Sequence, residues 1–298
     1  MHRPGTSLAA GSLSPDGKTV LILYAGRLTV RPTQSFEEKE ILPAKTVAMV
    51  IGGNWAVSSP DGKWIYYPQT TDRPSILEAW RVDTASRKKE RVITVLSPSW
   101  MASPVPSPDG KSIAFFQVKT LMLADANGRN ERPLWDGTGF GGEFGGWPLV
   151  WSPDSSQILV PTLPHHLSLI TVATGQIRPL PGWDDPIVSA VWPQWSSGPF
   201  LCVKHGHPVS MDLRSVPNCQ IWHLSLPDGL RMPVTDASQG YLRIFGMGPE
   251  GHSLGHSLIV ERTPPPPDWW DSFMMFLWQT SARHIPDFQP TVMLTLRN

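Results

Sequence analysis

Short apolar runs recur along the chain, each following a polar turn. TVLIL, WIYYP, SIAFF, QILVP, FLCV and SLIV are all rich in β-branched and aromatic residues. Runs this short, bounded by turn residues, predict strands. Four of the turns align at once: LSPDGKTVLIL (Leu13–Leu23), SSPDGKWIYYP (Ser58–Pro68), PSPDGKSIAFF (Pro106–Phe116) and WSPDSSQILVP (Trp151–Pro161). In Ser-Pro-Asp-Gly, proline presets φ, the short polar side chains bond nearby backbone, and glycine accepts positive φ. A second apolar run precedes the turn, as at Trp55–Val57 and Trp147–Trp151, so strand, turn and strand form a hairpin. Third strands are predicted at Leu28–Arg31, Leu77–Val82, Leu121–Ala124, Leu167–Val172, Ile221–Leu226 and Phe273–Gln279. Weaker fourth strands follow, as at Arg91–Val95, Arg132–Trp135 and Met232–Thr235.

Two degenerate copies extend the series. WSSGPFLCV (Trp195–Val203) has lost the Pro-Asp pair, and MGPEGHSLGHSLIV (Met247–Val260) keeps a Gly-Pro-Glu-Gly turn. The leading serine or its counterpart falls at positions 14, 59, 107, 152, 196 and 248. With no convincing helical segment, this period predicts an all-β fold, a single six-bladed β-propeller of four-stranded antiparallel blades. The expected blades span approximately 5–45, 46–96, 97–136, 137–182, 183–236 and 237–298. An inner strand near Thr6–Ser12 and an outer strand near Thr291–Leu296 imply closure by packing of first blade on last, with no shared strand.

The Ser-Pro-Asp-Gly-Lys turn followed by a hydrophobic strand resembles the TolB-like propeller repeat, a relative of the WD-repeat. The resemblance runs from about Gly5 to Leu296, strong in the first four units and weak in the last two. Gly-His and Trp-Asp dipeptides are not periodic, which favours the TolB-like branch. It implies a fold rather than an activity, since such propellers include interaction modules, peptidase accessory domains and enzymes. TolB itself carries a separate N-terminal domain and a secretion signal, and neither is visible in this sequence.

Composition narrows the classes. Of 298 residues 40% are hydrophobic, enough for a sizeable core, and 17% are charged, below the roughly 25% of an average soluble domain. The 25 Lys and Arg balance 25 Asp and Glu, an argument against a nucleic-acid binder or electrostatic adsorption to membrane. No run of 18 apolar residues exists, so no spanning helix is expected, and MHRPGTSLAAGS lacks the apolar core of a signal peptide. Those residues predict a cytoplasmic protein; a leader missing from the chain would make it periplasmic or extracellular.

The candidate chemistry is sparse. Gly251-His252-Ser253-Leu254-Gly255 matches a nucleophile elbow, with Asp268 or Asp271 and then His284 in triad order. No helix follows it, however, and GHSLGHSL is a tandem copy, so a lengthened turn accounts for it. His165 and His166, His205 and His207, and His252 and His256 cluster mildly, but spacing fixes no carboxylate partner, and solvated loop histidines are expected. Asp16, Asp61, Asp109 and Asp154 recur with the turn and are read as its structural caps. The segment Gly137–Gly146 lacks the Lys-Ser/Thr ending of a phosphate loop and reads as a connector or rim loop. Pro264–Pro267 is a short polyproline II run. Cys202 and Cys219 fall on adjacent strands of one hairpin; a cross-strand disulfide is conceivable there, and two free thiols are the alternative.

Most of the 14 Trp are expected between blades. Trp183, Trp269 and Trp270, with Phe140 and Phe144, fall in loop-like stretches and are the candidate contact residues. No metal site, cofactor or catalytic constellation is predicted. The expectation is a non-enzymatic scaffold binding a protein or peptide through loops at one rim of the channel, with no nucleic-acid or membrane-inserted partner. The alternatives are a hydrolase or lyase at the channel mouth, or an accessory propeller of a separately encoded peptidase.

Overall fold

The computed structural model describes residues 10–14, 18–24, 26–32, 37–44, 46–47, 56–71, 76–96, 104–138, 149–162, 166–180, 187–193, 196–204, 219–226, 228–236, 241–247, 257–262 and 291–295. All regular structure among them is β. The first sheet holds β1 (Ala10–Leu13), β2 (Thr19–Tyr24), β3 (Arg27–Pro32) and β4 (Lys39–Leu42). The second holds β5 (Val57–Ser58), β6 (Trp64–Thr70), β7 (Ile76–Asp83) and β8 (Lys89–Leu96). The third is β9 (Val105–Pro106), β10 (Ser112–Gln117), β11 (Thr120–Asp125) and β12 (Arg132–Trp135). The fourth is β13 (Val150–Trp151), β14 (Gln157–Thr162), β15 (His166–Thr171) and β16 (Ile177–Pro179). In each, strands pair in sequence order and antiparallel.

The strands read as continuous apolar runs because both faces of each sheet are covered. Side chains alternate across a strand, and here each face meets a different neighbouring sheet. On β10, Phe115 packs with Leu77, Ala79 and Ile93 of the second sheet. Ala114 and Phe116 point the other way, into a cluster with Trp151, Ile158 and Val160 of the fourth. On β14, Leu159 leaves that cluster and joins Ile187, Leu201 and Leu224 of the next sheet. Ile65 and Tyr67 likewise bind the second sheet to Leu21, Leu28 and Leu42 of the first. Four buried clusters therefore lie between successive sheets, and full burial of each large side chain stabilises by roughly 1.5–3 kcal/mol.

The leading strands gather on the inside. β1 lies against β5, and β5 against β9. The fifth sheet contains β17 (Ile187–Val191), β18 (Phe200–Lys204), β19 (Cys219–Leu224), β20 (Arg231–Pro233), β21 (Tyr241–Met247), β22 (Ser257–Arg262) and β23 (Thr291–Thr295). Its β21 lies against both β17 and β1, which brings the last leading strand beside the first. The architecture is an all-β propeller.

Two sequence expectations need correction. Five sheets form rather than six, because β19 meets β21 at the pair Cys219 and Tyr241, merging the fifth and sixth repeat units into one seven-stranded sheet. Thr291–Thr295 ends this sheet, as expected of an outer strand, but it hydrogen-bonds directly to β22, with Ser257 opposite Thr295. It occupies the place expected for Phe273–Gln279, which lie outside the described residues. The register also bears on the two readings left open for Cys202 and Cys219. Cys202 pairs with Ile221 and Cys219 with Lys204, making the two cysteines diagonal neighbours. Such positions are roughly 7–8 Å apart, beyond the usual disulfide span, and Cys202 is buried outside any disulfide.

Candidate functional site

The repeated turns are built alike. Ser59, Ser107 and Ser152 each donate a hydroxyl hydrogen bond to the aspartate two residues on, Asp61, Asp109 and Asp154, at 2.5–2.6 Å. The same hydroxyl oxygens accept the backbone N–H of Trp64, Ser112 and Gln157 at 2.8–3.0 Å. The carboxylates also accept the N–H of Lys63, Lys111 and Ser156 at 3.0–3.1 Å. At Asp61 and Asp154 the serine hydroxyls are the main cause holding the carboxyl below its usual pKa. At Asp109 burial pushes upward, and Ser107 and the Lys111 N–H together outweigh it. In the first unit Thr19 N–H donates to Ser14 Oγ at 2.9 Å; Asp16 lies outside the described residues.

Successive turns stand side by side on one face. A Cβ built on Gly110 would lie 3.9 Å from the Pro60 ring, and Asp109 N–H donates to Ser155 Oγ at 3.0 Å. Nearby, Arg81 donates to Glu90 at 2.7 Å and to the Ala126 carbonyl of the third sheet at 3.0 Å. Its guanidinium lies 4.1 Å from the Trp64 ring centroid, a cation–π arrangement. Tyr66 donates to the same carbonyl at 3.1 Å. This face thus carries hydrogen bonds and ring contacts that join neighbouring sheets.

The fifth unit departs from the pattern. Leu224 N–H donates to Pro199 C=O as Thr84, Ala126 and Val172 donate to Lys63, Lys111 and Ser156, so His223 stands where Asp83, Asp125 and Thr171 stand elsewhere. No aspartate follows Ser196 by two residues. Its hydroxyl donates instead to the Gly198 carbonyl at 2.7 Å, and His223 Nε2 lies 2.9 Å from Ser196 Oγ. The His223 ring rests 4.8 Å from the Phe200 ring. Burial lowers the His223 pKa, and the Gly198 carbonyl opposes that shift. A Cβ at Gly198 would come within 1.8 Å of Leu224 O, so the tight approach requires glycine. Sequence reasoning missed this serine–histidine pair. The lost Asp was the available signal, since a turn serine without it needs another partner.

The sequence-predicted contact residues Trp183, Trp269, Trp270, Phe140 and Phe144 lie outside the described residues, as do Gly251–Gly255, His165, His205, His207, His252, His256, Asp268, Asp271 and His284. The strand ends that flank them are described. β12 ends and β13 begins around 136–149, β16 ends and β17 begins around 180–186, and β22 ends and β23 begins around 263–290. Because pairing is antiparallel throughout, all these ends lie at the face opposite the Ser-Pro-Asp-Gly turns. Among the described residues, no group of three His, Cys, Asp or Glu side chains could hold a metal ion. No helix among them is long and apolar enough to cross a membrane.

Comparison with solved structures agrees with this architecture. The chain superposes on a putative TolB from Agrobacterium tumefaciens with a TM-score of 0.58 at 16% identity, covering 77% of this chain and 81% of that one. The chain has the fold of the TolB propellers. TolB from Acinetobacter baumannii gives a TM-score of 0.52 at 14% identity, covering 86% of this chain and 60% of that one. An oligogalacturonate lyase in complex with manganese gives 0.51 at 15% identity, covering 76% and 64%. At these identities the likeness is one of fold. In sequence, an uncharacterized protein of Agrobacterium fabrum is 30% identical over 111 residues, which are 33% of this chain and 36% of that protein. The chain therefore matches little over a third of that relative's length. No family model matches the chain.

Proposed function

We propose that the chain is a non-enzymatic TolB-like propeller that binds a protein or peptide through the loops at one rim of its channel. One observation carries this reading: the strand ends flanking Phe140, Phe144, Trp183, Trp269 and Trp270 all lie at the face opposite the packed turns. Rigid scaffolds place function on such loops, and Trp in particular anchors interfaces. The expected partner is protein or peptide rather than nucleic acid, in keeping with a formal charge of zero. A periplasmic or extracellular location goes with the likeness to TolB better than the cytoplasm does.

The test is partner capture followed by alanine substitution at Trp183, Trp269 and Trp270 together. Loss of the captured partner supports the rim reading, and full retention by the triple variant contradicts it. The lyase seen in complex with manganese among the fold neighbours favours a second reading, an enzyme at the channel mouth. Manganese-dependent cleavage of an oligogalacturonate by the purified chain would establish that reading instead.

A further inference from the structure

We propose that the fifth unit carries an acid-sensitive clip, in which the neutral His223 ring holds the short turn 196–199 against the end of β19 and releases it when protonated. The turn differs from its counterparts in what ties it down. Ser59, Ser107 and Ser152 each bond an aspartate, where Ser196 bonds Gly198 and His223. Lys63, Lys111 and Ser156 offer that aspartate a backbone N–H, and Pro199, which stands in their place, has none to offer. Three residues separate Ser59 from Lys63, and two separate Ser196 from Pro199. With the carboxylate and the amide both gone, an imidazole takes over the link between turn and strand.

The protonation state follows from the bonds. The Ser196 hydroxyl proton goes to the Gly198 carbonyl at 2.7 Å. Its oxygen therefore accepts, and His223 Nε2–H donates to it across 2.9 Å. An added proton must go to Nδ1, which charges the ring. The ring faces Phe200 at 4.8 Å, and Met232 of β20 stands opposite it; neither compensates a charge. Arg231 lies one position along, opposite Leu224, and Asp228 is exposed in the turn between β19 and β20. Towards the fourth sheet, Leu201 and Leu224 sit in an apolar cluster. Lys204 lies at the far end of β19, opposite Cys219, and β21 meets β19 at that same end. In the last unit Arg243, Glu261 and Arg262 occupy the rim end of β21 and β22, with Met247 and Ser257 at the turn end. Glu250, His252 and His256 lie outside the described residues.

The sign is fixed by that setting. Burial is the larger cause acting on His223 and disfavours the charged ring, and the Gly198 carbonyl opposes it. The closed clip thus binds a proton more weakly than the open one. Its stabilisation is complete above the unfolded value near ~6.5 and is lost as pH falls through the lower folded value. The second to fourth turns rest on carboxylates and hold until about pH 3.9, so the fifth turn opens first.

Amide hydrogen exchange on the full-length chain tests this with internal controls, because Leu224, Thr84, Ala126 and Val172 make the same bond in four units. After correction for intrinsic exchange, Leu224 protection is expected to fall at least about threefold from about pH 7.5 to about pH 5. Thr84, Ala126 and Val172 should keep theirs. In His223→Gln, which keeps a donor and takes no proton, Leu224 should be equally protected at both pH values. The His223 ring signal of the wild type should titrate below ~6.5. Unchanged Leu224 protection in the wild type would overturn the proposal, as would a His223 titration at or above that value. So would a drop that persists in His223→Gln, since another group, such as Glu250, His252 or His256, would then be responsible. Should His223→Gln fail to fold, the two wild-type measurements decide.

Discussion

Each repeated turn serine does two jobs with one hydroxyl, donating to the aspartate two residues later and accepting a backbone N–H five residues on. Ser107 is 1% exposed. Replacing it with alanine strands the Ser112 N–H and one lobe of Asp109, and the expected loss is about 1–3 kcal/mol in urea unfolding. The carboxylates impose a pH dependence of known sign. Asp61, Asp109 and Asp154 have depressed pKa values in the folded chain. Their stabilisation is complete above the unfolded value near ~3.9 and vanishes as pH falls through the lower folded value. Changing all three to Asn should lower stability at pH 7 and flatten the acid limb of a Tm-against-pH curve. Tyr67 behaves differently: it is fully buried, burial alone pushes its pKa up to about 12, and its hydroxyl has no partner among the described residues. Tyr67→Phe is expected to leave stability unchanged or raise it by about 1 kcal/mol, and a drop of that size would show that the hydroxyl has a partner after all.

At the scale of strands, the decisive feature is that neighbours on one strand serve different interfaces. Phe115 belongs to the second-sheet interface and Phe116 to the fourth. Phe115→Ala is expected to cost about 3–5 kcal/mol. Gly128 has φ +77, and a Cβ there would lie 2.0 Å from the Val92 carbonyl oxygen. Gly128→Ala should therefore push the third sheet from the second, lowering Tm and deprotecting the β8 and β11 amides, while the β14 and β15 amides hold. This level was largely legible in the sequence. The runs TVLIL, WIYYP, SIAFF and QILVP became β2, β6, β10 and β14, because a strand buried on both faces leaves an unbroken apolar signature. The weak fifth and sixth turns gave no register. The offset that places Ile221, not Cys219, opposite Cys202 depends on loop length, which hydrophobic pattern does not record. The direct pairing of β23 with β22 was hidden for the same reason, since a strand-length run intervenes in the sequence.

In the whole molecule, one face carries hydrogen bonds between sheets among the described residues, and the longer connections start from the other. The first is visible in the Asp109-to-Ser155 bond and in the Arg81 bridge to Ala126. Periodicity marked the turn aspartates as structural, but Arg81 and His223 carried no periodic signal and emerged only from spatial neighbours. Function was least legible, because a site assembled from separate units leaves no spacing within any one unit that encodes it. The most direct test places a photo-crosslinking amino acid at Trp183 and Trp269 in one pair of variants, and at Lys63 and Lys111 of the turn face in another, each expressed in the native host. The account predicts a discrete protein adduct from the first pair and none from the second. Adducts confined to Lys63 and Lys111, or absent from Trp183 and Trp269, would contradict it.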